Sequence, residues 1–134
     1  MKNLLIVLWI ISVTVTAHAQ SRYMTREGKV AFYSDAPLEK IEARNSKAAG
    51  VFETAGGNFQ VIVLMKAFMF EKDLMQQHFN DNYVESDKYP KATFKGVIDN
   101  LSEVDFGKDG EYAVTVSGKM ELHGVTRDVK AKGK

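Results

Sequence analysis

The sequence predicts an all-β domain of antiparallel strands, built as a barrel or a sandwich and carrying one short amphipathic helix. Three observations predict it. Apolar and polar residues alternate with period two over most of the chain, which puts one set of side chains on one face of a pleated strand. Glycine, proline and Asp-Gly signals interrupt those runs at short intervals. A single stretch, residues 71–80, changes to a helical period.

The elements follow in order. Residues 1–19 read as a secretory signal: Lys2 supplies the positive start, Leu4 to Val15 is apolar except for Ser12 and Thr14, and Ala17-His18-Ala19 is a small-x-small cleavage site. Cleavage after Ala19 leaves a domain of residues 20–134 in the periplasm or outside the cell. A transmembrane helix needs roughly 20 apolar residues. The run is shorter, so no stable membrane span is expected after signal cleavage. Val30, Phe32 and Ser34 then alternate with Ala31 and Tyr33, and Ala36-Pro37-Leu38 breaks the strand because proline removes a ladder donor. Residues 48–54 and 59–66 flank Gly56-Gly57-Asn58, a hairpin turn. Phe59 to Met65 is nearly all apolar, which predicts a strand covered on both faces, or one with something apolar against its outer face.

Phe70, Leu74, Met75, His78 and Phe79 share one helical face, and Glu71 and Asp73 suit the positive end of the helix dipole. The expected helix packs on or across an opening of the sheet. Tyr83 to Tyr89 reads as a polar connection, and Tyr89-Pro90 forces extended geometry that launches the next strand. Ala92, Phe94, Gly96 and Ile98 form one face of it. Asp109-Gly110 is a turn, after which Tyr112, Val114 and Val116 alternate with Ala113, Thr115 and Ser117. Gly118 is expected to bend or bulge the strand before Met120 and Leu122 resume its apolar face. Gly124 turns the chain, and Val125 to Ala131 is the last of about seven strands.

Composition narrows the function. The chain has no cysteine, which removes disulfides, thiolate catalysis and Cys-based metal sites. Lys2 is the only charge in the first 19 residues, so its loss takes the formal net charge from +1 to zero. A neutral chain without a basic cluster does not suit nucleic acid. The remaining histidines are His78 and His123, there is no G-x-S-x-G elbow, and Gly56-Gly57 is not followed by the Lys-Ser or Lys-Thr of a phosphate loop. His78 and Asp81 lie three apart on one helical side, but two ligands fall short of a metal site. No catalytic residue, metal ligand or cofactor is assigned. His123 reads more readily as structural, beside a bend at Gly124. Arg127 shares alternation with Val125 and Val129, so its charge must reach a barrel end, a ligand head group or a partner.

The apolar set that remains is Phe32, Phe52, Phe59, Val61, Val63, Phe68, Leu74, Met75, Phe79, Phe94, Val114, Val116, Met120 and Leu122. These residues either fill a core or line a cavity, because both uses call for the same side chains. Met65, Met69 and Met75 near the helix suit an adaptable lining.

Two segments carry a resemblance. The first runs from His78-Phe79-Asn80-Asp81 through Tyr89-Pro90-Lys91-Ala92-Thr93-Phe94 to Gly96; the second is Val116-Ser117-Gly118-Lys119-Met120-Glu121-Leu122-His123-Gly124-Val125-Thr126-Arg127. Together, in this order, they resemble the YceI-like family of exported lipid-binding proteins. The resemblance implies a lipocalin-like barrel of eight antiparallel strands with short helical cover. It implies a non-enzymatic role, holding a long amphiphilic lipid such as a polyisoprenoid. The apolar set above, with Arg127 near a mouth, would then be the ligand-binding lining. Family members usually continue past the H-G-V-T motif, so the resemblance also implies a barrel shortened at its C-terminal side. The exposed edge, with Lys130, Lys132 and Lys134 as charged protection, allows a strand-paired homodimer. The competing reading is a small secreted structural or interaction domain with a filled core and no ligand.

Overall fold

A computed structural model describes residues 21–35, 37 and 40–134. The expected signal sequence and its expected cleavage site lie outside them. The described residues form seven antiparallel strands in one sheet, with one short α-helix. Strands β1 (Arg22–Asp35) and β2 (Lys40–Glu53) make a long ribbon, and β3 (Asn58–Leu64) continues it. A two-residue strand, β4 (Met69–Phe70), pairs back onto β2, and helix α1 (Asp73–His78) follows. The sheet is completed by β5 (Lys91–Ile98), β6 (Val114–Leu122) and β7 (Val125–Gly133). The order across the sheet is β1-β2-β3-β5-β6-β7. Among the described residues β1 and β7 are not paired with each other, so the sheet is open and no closed barrel is present.

Register fixes the faces. Phe32 pairs with Ala43, Phe52 with Phe59, Val61 with Phe94, Phe94 with Met120, and Met120 with Arg127. Paired residues share a face in an antiparallel ladder, so the apolar alternation of five strands converges on one inner face. The long ribbon keeps this alignment through two compensating irregularities, between Thr25 and Gly28 and between Gly28 and Val30. Asn45, only 2% exposed, secures that region. Its side-chain amide donates to the Leu64 carbonyl at 2.9 Å and accepts from the Lys47 N–H at 2.9 Å, so both of its polar ends are satisfied.

Gly118 is not a bulge. It sits in register opposite Gly96, and β6 runs unbroken through it. The two glycines let β5 and β6 approach closely: a Cβ at Gly118 would collide with the Lys95 carbonyl, and one at Gly96 would meet the Phe94 ring at 2.7 Å. Phe94 therefore folds its ring over the strand and covers the gap that the glycine leaves.

The buried core sits at one end of the sheet. Ala43, Ala48, Val63, Met65, Phe68, Phe70 and Val84 are packed there, with Phe32, Met75 and Phe79 against them. The helical face beginning at Phe70 is reassigned, because Phe70 pairs with Ala43 in the sheet. Helix α1 buries none of its residues, and Leu74 is 64% exposed. The outer face of β3 is less covered than its apolar run predicts, since Leu64 is 50% exposed.

Candidate functional site

The inner face bears two adjoining hollows that share Val61. The first, about 760 Å³, lies where β1 begins and β2 ends; Phe52, Phe59, Val114 and Val116 project into it. Phe106, from the connection between β5 and β6, closes its side, with its ring centroid 5.7 Å from that of Phe52. Its polar side chains are Tyr23, Thr25, Gln60, Glu111, Tyr112 and Lys134. Lys134 and Glu111 form an ion pair at 3.3 Å, and the Tyr112 hydroxyl donates to the Lys108 carbonyl at 2.8 Å.

The second hollow, about 500 Å³, is lined by Phe32, Val61, Val63, Phe68, Phe79, Phe94, Met120 and Leu122, joined by Val30, Met65, Val84, Ala92 and Thr93. Among the described residues Thr93 is the only polar side chain in that wall, and no charged one enters it. Four phenylalanines crowd its end. Phe79 stacks on Phe32 at 5.5 Å and meets Phe68 at 5.7 Å and Phe70 at 4.9 Å. Such ring pairs each add about 0.5–1.5 kcal/mol beyond the area they bury.

Three residues named from sequence line neither hollow. Leu74 points to solvent, Met75 packs against the core, and Arg127 is exposed on β7 opposite Met120. Sequence reasoning missed several that do. Val30 and Ala92 share alternation with Phe32 and Phe94 and were legible on that ground. Val84 was not, because it lies in a polar stretch and is buried only by the fold.

A strap from Phe79 to Pro90 covers the second hollow, and an ion pair and a hydrogen bond outside the sheet fasten it. Lys66 pairs with Asp87 at 2.5 Å. Glu85 meets Nε2 of His123 at 2.5 Å. His123 and Gly124 form the two-residue turn between β6 and β7, with φ of 52° and 71°. Both values are left-handed, which suits a type I′ hairpin. Tyr89 stands edge-on to the His123 ring at 5.0 Å and lies against Gly124. The hydrogen bond from His123 holds the Glu85 carboxyl below its ordinary value of 4.5, with Lys88 adding a smaller pull in the same direction. The two segments that carry the family resemblance thus meet at this contact. Among the described residues no serine or threonine hydroxyl is bonded to His123, and no group of three His, Cys, Asp or Glu could hold a metal ion. Among those residues, too, no helix is long and apolar enough to cross a membrane.

A family model described as the YceI-like domain matches residues 13–134. A polyisoprenoid binding domain from Saccharophagus degradans, implicated in plant cell wall breakdown, is similar with a TM-score of 0.68 at 17% identity, over 84% of this chain and 66% of that one. At that identity the likeness shows a shared fold. A YceI protein from Campylobacter jejuni matches at 15% identity and a TM-score of 0.45, over 82% of this chain and 53% of that one. Burkholderia cenocepacia BcnA matches at 14% and 0.46, over 81% and 56%. The chain thus spans between about half and two thirds of these structures' lengths. No curated protein matches it in sequence.

Proposed function

This chain belongs to the YceI-like family, and from that premise we propose that it is an exported, non-enzymatic carrier of a long amphiphile such as a polyisoprenoid. The inner face would serve as the wall of a lipocalin-like barrel, with the tail laid along the two hollows. The observation that carries this reading is the second hollow, about 500 Å³ of space with no charged side chain in its wall. Water gains little from such a surface, whereas each methylene placed there contributes roughly 0.8 kcal/mol. Ten of them would supply about 8 kcal/mol before the costs of ordering the chain, so few polar contacts are needed. The similar Saccharophagus domain, described as polyisoprenoid binding, supports the same class of ligand.

Val61 provides the test, because it borders both hollows. Val61→Arg puts a charge midway along the proposed path, where its stem can still reach open solvent. If five methylenes lose their place, the loss is about 4 kcal/mol, or roughly a thousandfold in affinity. Titration with a fluorescent prenyl alcohol should show that loss, with the far-ultraviolet circular dichroism unchanged. Equal affinity in the folded variant would refute the reading.

A further inference from the structure

Resting on the carrier reading, we infer that the Phe79 ring is the end-stop of the tail channel and sets the longest tail the protein accepts. The two hollows differ in polarity. The first has Glu111, Lys134 and Gln60 at its margin, whereas the second has one threonine. A bound amphiphile therefore turns its head to the first hollow and the end of its tail to the second. Phe79 stands at that far end. It lines the hollow, while Phe70 does not, yet their ring centroids are 4.9 Å apart. Phe79 is thus the wall between the hollow and Phe70 behind it.

Two of the other rings of this cluster are held by the sheet. Phe32 is fixed in the β1–β2 ladder and Phe70 in the pairing of β4 with β2. Phe79 belongs to no strand. It caps the end of α1 and opens a wider helical turn, Phe79–Tyr83, that closes through the Val84 N–H to the Phe79 carbonyl at 3.0 Å. Its position is set by the strap and its two side-chain fastenings, Lys66–Asp87 and Glu85–His123, rather than by the sheet.

The test uses the purified protein and a homologous series of straight-chain primary alcohols, competed against a bound fluorescent dye. In the unaltered protein, affinity should rise about fourfold per methylene and then stop rising at one chain length. Phe79→Leu removes the ring while keeping an apolar side chain, and should move that limit to longer alcohols. The first alcohol beyond the original limit should bind at least about fourfold tighter to the variant than to the unaltered protein. Val84→Phe, which adds a ring to the same wall, should move the limit to shorter alcohols and keeps the test open if Phe79→Leu folds poorly. Uniform weakening at every length with an unchanged limit in both variants would overturn the end-stop and leave the carrier reading standing. Absence of any alcohol binding by the unaltered protein would overturn both.

Discussion

Gly124→Ala tests how the strap is joined to the sheet. Two costs add at this position. The backbone holds φ at 71°, where an L-residue is disfavoured by about 1–2 kcal/mol. The new methyl would also meet the Tyr89 ring at 2.7 Å, so the ring must move. That movement opens the edge-on contact with His123, worth about 0.5–1.5 kcal/mol. The sum is about 1.5–3.5 kcal/mol, a large share of the 5–15 kcal/mol that holds a typical domain folded. At about 4 °C per kcal/mol for a domain of this size, the thermal midpoint should fall by roughly 10 °C. Gly110→Ala is the control, because the nearest heavy atoms lie 3.9 Å from its Cβ position and nothing must move. Circular dichroism melts of both variants decide the matter. A Gly124→Ala midpoint that matches the unaltered protein, or an equal fall for Gly110→Ala, would refute the assigned role of Tyr89 and the turn.

The strap also has a pH dependence with a defined sign. Because the folded state lowers the Glu85 pKa, its contribution is fully present above the ordinary value of 4.5 and is lost as pH falls through the lower folded value. The gap in thermal midpoint between the unaltered protein and Glu85→Gln should therefore narrow and close as pH falls through the acid range below 4.5. A gap that widens in acid would contradict the contact with His123. Export is tested by the N-terminus of the protein recovered from a bacterial periplasm. Gln20 as the first residue is expected; an intact N-terminus at Met1 on membrane-bound protein would count against a cleaved signal.

Much of the inner face was legible before any coordinates. Val114, Val116, Met120 and Leu122 on β6 follow strict alternation, the signal that a half-buried strand must leave, whereas Phe59, Val61 and Val63 on β3 stand out only as part of a nearly continuous apolar run. The first half of the β1–β2 ribbon was not legible. Arg26-Glu27 and Asn45-Ser46-Lys47 are polar, and the register shifts there break the period. Gly118 illustrates a different limit. A glycine within a strand signals either a bulge or a close approach, and only the partner strand, with Gly96 opposite, decides which. Phe70 continued a helical pattern on paper, but the free edge groups of β2 captured its backbone instead. The Glu85–His123 contact joins residues 38 positions apart, and nothing local to either residue announces the other.

Native mass spectrometry of the protein purified from an exporting bacterial host tests the central claim most directly. The account predicts a co-purifying mass that extracts into organic solvent and fits an isoprenoid chain seated along the two hollows. A folded polypeptide that carries no such mass, and takes up none when a polyprenol is added, would contradict it.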